Sequence, residues 1–274
     1  MRNLDETTIT QAVLATHRDA SDARLSEVMT SLVQHLHAFA RDIQLSEQEW
    51  RNAVAFLQQA ATVSTSQHSE VALLSHALGL TTLVLAQNRK RPAGCTEAAA
   101  IEGRPALQAQ MCDLGADITP GQAGPKGWVH GTVRDSHARP VPYATLQVSA
   151  SGFSDAGPAL LQADANGHFH FSTSLPRSQH IVAEGPVDWL LAALDRPTWR
   201  PAHLEFVIDA AGFRPLATLV FREGDPHLAT DALFGVRASL VAEWQPHPAG
   251  TAPDGTPSLE PFHTLSFDFV LAPG

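Results

Sequence analysis

The sequence predicts an α+β protein, with an N-terminal helical domain followed by an antiparallel β-sandwich. Three observations carry that expectation. Over roughly the first 90 residues, apolar side chains recur at three- and four-residue steps, the helical period. From Trp128 the pattern switches to a period of two. Short strand-like runs then alternate with Gly- and Pro-containing turns, as in a sandwich. The divisions fall at residues 1–90 for the helices, 91–127 for a connector and 128–274 for the sandwich.

The first clear helix is marked by Leu25, Val28, Met29, Leu32, Leu36 and Phe39, which form one apolar stripe. Ser46 and Glu49 then make a capping box, in which each can bond the other's backbone N–H. The helix it opens places Trp50, Val54 and Leu57 on one side. A third helix is expected from Ser69 to Ala86, with Leu73, Leu74 and Leu78 apolar and Gly79 tolerated inside it. Polar breaks at Gln44–Leu45 and Thr62–His68 separate the three. Short helices bury little surface alone, so this region must dock on something. Arg89 to Gly127 is a connector rich in Gly, Pro and Ala.

In the sandwich, WVHGTVRD, a turn at Ser136–Pro140 and ATLQVSAS read as strand, turn, strand. LLQADANGHFHFST repeats the form around Asn166-Gly167, a hairpin signal. HLEFVID, ATLVFRE, SLVAEW and LSFDFVLA supply further strands. His168 and His170 alternate with Phe169 and Phe171 and read as outward polar positions.

Composition narrows the function. The formal charge of −10 argues against nucleic acid, which rewards basic patches. Hydrophobic residues make up 44% of the chain and allow a packed core. No apolar run approaches the roughly 20 residues of a membrane span. The start, MRNLDETTITQ, is too polar and acidic for a signal peptide. Cys95 and Cys112 lie far from any C-x-x-C spacing and read as free thiols of a cytoplasmic protein.

The stretch with chemical content is Glu184 to Phe206, EGPVDWLLAALDRPTWRPAHLEF. A short apolar helix, Val187 to Leu194, opens it. His203-Leu204-Glu205 follows, and on a strand the two polar side chains share one face about 7 Å apart. Arg200 stands just ahead. A His-x-Glu pair alone is most often a solvated face.

This stretch resembles the intradiol ring-cleavage dioxygenases, in particular the hydroxyquinol 1,2-dioxygenase branch, whose pattern here is GPVG…LL…RPAH-x-HF. SLVQHLHAF, SEQEWRNAVAFL, EVALLSHALGLTTLV, the Thr96-Glu97 pair, REGD, DALFGV and PFHTLSFDFVLAP extend the resemblance over nearly the whole chain. It implies an intradiol-type sandwich and a homodimer formed through the N-terminal helices, which in the family enclose a phospholipid tunnel. It also implies a hydroxylated aromatic substrate, and ferric iron held by two tyrosines and two histidines.

Position by position, the resemblance puts Ser154 at the first tyrosine, in Gly152-Phe153-Ser154-Asp155. It puts Gln179 at the second, in the stretch leading to Gly185-Pro186-Val187. His203 keeps the first histidine, Glu205 takes the second, and Arg200 keeps the family arginine. Leu219 replaces a further His or Gln. The chain holds one tyrosine, Tyr143, read as lying in a strand near a proline, so two tyrosinates from one chain are impossible. Asp225, in REGD, reads as structural.

Three readings follow. In one, His203, Glu205 and either His180 or Gln179 hold a divalent metal such as Fe2+, Mn2+ or Zn2+, like a facial triad. In another, no metal is used: His203 and Glu205 are an acid/base pair, Arg200 clamps an anion or enolate, and Ser154 donates a hydrogen bond or attacks. In the third, the chain is an inactive partner subunit or binding protein. Retention of Arg200 and His203 favours an enzyme acting on a hydroxylated aromatic or a related cyclic enol or lactone.

Overall fold

A computed structural model of the chain describes residues 3–18, 20–65, 69–101, 109–153, 156–181 and 185–274. It has the α+β architecture expected, in two compact units, residues 1–58 and 59–274, with the division inside the third helix. The helices are α1 (Ile9–Ala15), α2 (Ala23–Asp42), α3 (Glu47–Val63), α4 (Glu70–Ala77), α5 (Leu80–Asn88) and α6 (Pro186–Ala193).

In the first unit, Asp22 caps α2 by accepting from the Leu25 N–H at 2.9 Å. The capping box at α3 forms as the sequence predicts: Glu49 Oε2 accepts from the Ser46 N–H at 2.9 Å and Ser46 Oγ from the Glu49 N–H at 3.3 Å. Arg41 ties α2 to the α1 segment by donating to the Glu6 carbonyl and to Thr10 Oγ1. The apolar stripe stays open, with Leu25 56%, Leu36 54%, Phe39 53% and Trp50 56% exposed.

The helix expected over Ser69–Ala86 is two helices. Gly79 takes the left-handed conformation, φ 71°, and its N–H bonds the His76 carbonyl, which ends α4. α5 then leaves at 76°. Glycine here acts as a stop because only it adopts this φ without strain. Among the described residues, no single helix is long and apolar enough to cross a membrane.

Two sheets face each other in the second unit. The first is built on the strands Thr145–Ala150, His203–Asp209 and Leu216–Arg222, joined antiparallel, with Ala159–Gln162 on its outer side. The second is built on Lys126–Asp135, with His168–Ser174 on one side and Phe262–Ser266 then Phe269–Leu271 on the other. Val129, Val133, Leu146, Leu204, Phe169, Phe171, Phe206 and Phe269 fill the space between, each at most 1% exposed. A fully buried side chain of this kind contributes about 2 kcal/mol.

Four expectations about strands change. Phe262–Ser266 and Phe269–Leu271 run parallel to Lys126–Asp135, so the sandwich is mixed. Side chains alternate equally in both directions, so the pattern carries no sign of it. The strands around Asn166-Gly167 form no hairpin: Ala159–Gln162 belongs to the first sheet and His168–Ser174 to the second. The turn is real, since Asp164 Oδ1 accepts from the N–H groups of Asn166 and His168 at 2.8 Å. Turn chemistry fixes a reversal, not the pairing beyond it. The same holds for the Ser136–Pro140 turn, and Tyr143 lies not in a strand but in the turn before Thr145, with φ 58° and 60% exposure.

Candidate active site

The His203–Asp209 strand lies between two neighbours and has two covered faces. Leu204, Phe206 and Ile208 enter the main core. His203 and Glu205 point to the other face, opposite Phe221 and Leu219 respectively. Leu219 and Phe221 form a second small core there with Ala99 and Leu240. His203 is therefore 0% exposed and the Glu205 side chain 12%.

The carbonyl of Pro201 sets the histidine's protonation. His203 Nδ1 lies 2.7 Å from that oxygen, which only accepts, so Nδ1 carries the proton. In the neutral ring, Nε2 then presents its lone pair. This buried atom has no hydrogen-bond partner among the described residues and stands 3.6 Å from Glu205 Oε1. Ser149 Oγ donates to the other Glu205 oxygen at 3.4 Å. A ring nitrogen lone pair facing a carboxyl oxygen at this separation is the geometry of an acid/base pair.

Arg200 is fixed by a residue that sequence reasoning missed. Its Nε donates to Asp231 Oδ1 at 3.3 Å, with the side chains 1% and 2% exposed. Asp231 also accepts the N–H of Leu233 at 3.3 Å and of Gly235 at 2.6 Å. An Asp followed at two and four residues by amides it can cap was a visible signal in DALFGV. Leu219, opposite Glu205, lies near the same corner, for an added Cβ on Gly235 would meet Arg200 Nη2 at 3.2 Å and Leu219 at 3.5 Å.

Gln179 pairs with Arg200 across a short two-stranded ladder, while His180 pairs with Trp199. Opposite residues share a face, so Gln179 sits on the arginine's side. Its Oε1 accepts from the Gly152 N–H at 3.0 Å. His180 is exposed, 3.7 Å from the Trp199 ring, which stacks in turn on His227. As a ligand beside His203 and Glu205, His180 is thus misplaced, because strand alternation turns it to the other side. Ser154 lies outside the described residues, as does Glu184.

Asp225 proves structural as expected. It accepts from Ser178 Oγ at 2.7 Å and from the Ala202 N–H at 3.0 Å, which ties the segment before Gln179 to the one before His203. Glu70 was also missed. Buried at 1% exposure, it accepts the Val187 N–H at 2.9 Å and so caps α6 from α4. On the far sheet, His168 and His170 point outward and, with His130 and Trp128, line a separate groove of about 990 Å³.

Residues 22–96 match the model for the catechol dioxygenase N terminus, and residues 115–273 match the dioxygenase model. The chain belongs to the intradiol dioxygenase family. It is 38% identical to the 6-chlorohydroxyquinol 1,2-dioxygenase of Cupriavidus pinatubonensis, over 100% of this chain and 99% of that protein. It is 37% identical to the hydroxyquinol 1,2-dioxygenase of Rhodococcus opacus, over 98% and 94%. The crystal structure of hydroxyquinol 1,2-dioxygenase from Pseudomonas putida DLL-E4 superposes with a TM-score of 0.90 at 30% identity, covering 98% of this chain and 99% of that one. These relatives are hydroxyquinol or chlorohydroxyquinol 1,2-dioxygenases, the branch of the family that this chain is similar to.

Proposed function

We propose that this member of the intradiol family acts on a hydroxylated aromatic, or on a cyclic enol or lactone derived from one, through an acid/base pair rather than a ferric bis-tyrosinate centre. The buried His203 Nε2 facing Glu205 Oε1 at 3.6 Å carries the reading. The pair takes a proton from a phenolic or enolic hydroxyl and returns it at carbon or to a leaving oxygen. Arg200, held by Asp231, offsets the negative charge that develops. Ser154 supplies a hydrogen bond in this reading. The substrate class rests on the names of the relatives, which are dioxygenases of hydroxyquinols.

The donors fit ferric iron of the family type poorly. The chain has one tyrosine, and Tyr143 lies in the turn before the Thr145–Ala150 strand, at the end of that strand far from His203, since Ser151 at the other end bonds the His203 carbonyl. Six strand residues between them span roughly 20 Å. A divalent metal would find His203 Nε2, a Glu205 oxygen and, at most, the Gln179 oxygen already bonded to Gly152. Among the described residues, no three His, Cys, Asp or Glu side chains cluster to hold an ion. The acid/base reading needs only the groups already in place.

The helices of residues 1–90 serve dimerisation in this reading. The exposed stripe of α2 and α3 is apolar enough to require a cover, which we assign to a second copy, with phospholipid filling any remaining space. The same stripe favours one alternative, a non-catalytic subunit that pairs with an active relative. The compartment that suits two free thiols is the reducing cytoplasm.

Depletion of hydroxyquinol, catechol and their quinone and lactone derivatives tests the proposal. Turnover without added metal, lost in Glu205→Gln and in His203→Gln with folding intact, is expected. A panel left untouched with and without metals would favour the non-catalytic subunit.

A further inference from the structure

A second cavity, of about 350 Å³, lies beyond the C-terminal end of α5. Arg89, Lys90, Arg91 and Arg237 line it, with Glu97 as the one acid and Cys95 in its wall. Four cations around one hollow are unexpected in a chain whose formal charge is −10. Cations at a helix C-terminus are ordinary, and that accounts for the exposed Arg89 and Lys90. It does not account for Arg237, which arrives from a segment roughly 150 residues along the chain, nor for the half-buried Arg91.

Arg91 is the informative residue. Its Nη2 donates to the Pro215 carbonyl at 2.6 Å, but its buried Nη1 has no hydrogen-bond partner among the described residues. Burial pushes its guanidinium below the ordinary arginine range; Cys95 acts against this, and the charges of Arg214 and Arg89 add to it. Glu97 does not neutralise the group by an ion pair among the described residues, and its carboxylate accepts from Ser239 Oγ. Among the described residues this buried N–H has no acceptor, and Arg89 and Arg214 add like charge beside it. One multiply charged oxyanion would accept from the N–H and offset that charge.

We propose that this cavity binds a phosphate-type oxyanion, free or as the head of an anionic lipid. Arg91 Nη1 and the Arg89, Lys90 and Arg237 side chains would contact it. The cavity shares Gly235 with the Arg200–Asp231 corner, but its proposed contacts use neither His203 nor Glu205, and the proposal stands whether or not that pair is catalytic.

The two free cysteines give a direct readout. Iodoacetamide alkylation of the full-length protein, followed by peptide mass mapping, reports Cys95 and Cys112 separately. Inorganic phosphate should slow Cys95 several-fold and leave Cys112 unchanged, against chloride at matched ionic strength. The exposed pair Arg89→Gln/Lys90→Gln should raise the half-effective phosphate concentration about tenfold with an unchanged melting temperature. Phosphatidic acid vesicles, set against phosphatidylcholine vesicles, distinguish the sources. Protection by the acidic vesicles alone identifies a lipid head, and protection by inorganic phosphate identifies a free anion. Protection by neither, by chloride equally, or undiminished in the double variant would overturn the proposal.

Discussion

Asp231→Ala tests the corner that holds Arg200. The wild-type pair is buried, at 1% and 2% side-chain exposure, with Nε to Oδ1 at 3.3 Å. Removing the carboxylate breaks this buried ion pair, which costs about 3–5 kcal/mol. The Leu233 and Gly235 amides also lose their acceptor, at about 1 kcal/mol each. These losses overlap, so a total of about 4–6 kcal/mol is expected. For a unit of this size that lowers the melting temperature by roughly 10–20 °C. Asp231→Asn keeps an acceptor oxygen and should lose less. Urea titration followed by circular dichroism and tryptophan fluorescence measures each variant. Combined with Arg200→Met, Asp231→Ala should cost less than the two single losses added together. A loss under about 1 kcal/mol for Asp231→Ala, or strict additivity, would mean that the pair does not hold this corner.

Other consequences are open to simple measurements. Gly131→Ala would place its Cβ 1.8 Å from the Phe267 carbonyl oxygen, where Asp268 Oδ1 fills the ladder by accepting the Thr132 N–H at 2.7 Å. Backbone cannot yield cheaply, so we expect a loss of about 3 kcal/mol or an insoluble product, read by expression and thermal melting. Gly185→Ala meets Glu70 Oε1 at 2.5 Å, the oxygen that caps α6. Its expected cost is about 1–2 kcal/mol, and it should shrink in the Glu70→Gly background. Burial pushes the Asp225 carboxyl up, but hydrogen bonds from Ser178, Ala202 and His227 outweigh it and hold the pKa below 3.8. A lowered folded-state pKa means that its stabilisation is present above 3.8 and lost as pH falls through the folded value. Asp225→Asn should therefore lose stability at pH 7 and differ little from wild type near pH 2, as paired urea titrations would record.

The sequence carried the layer order and most strand positions because alternation and helical stripes are local. His203 and Glu205 share a face for the same reason. What it hid depends on partners distant in the chain. Asp231 meets Arg200 across 31 residues, and Glu70 caps α6 across 117. The strands flanking Asn166-Gly167 pair with Thr145–Ala150 and Lys126–Asp135, not with each other, and no local signal states that. Gly79 was legible as a glycine but not as a stop, because its left-handed φ appears only once α5 turns away. Gln179 and His180 take opposite faces of a ladder with Trp199–Arg200, a register that depends on a strand further along the chain.

The central claim is that His203 and Glu205 work here without a tyrosinate-bound ferric ion. Elemental analysis of tag-free protein, with a visible spectrum recorded before and after incubation with iron salts, tests it most directly. The account predicts a colourless protein with far less than one metal ion per chain, in which His203→Gln leaves the metal content unchanged. About one iron per chain with a red tyrosinate-to-iron band would contradict it, and so would a stoichiometric divalent metal lost in His203→Gln.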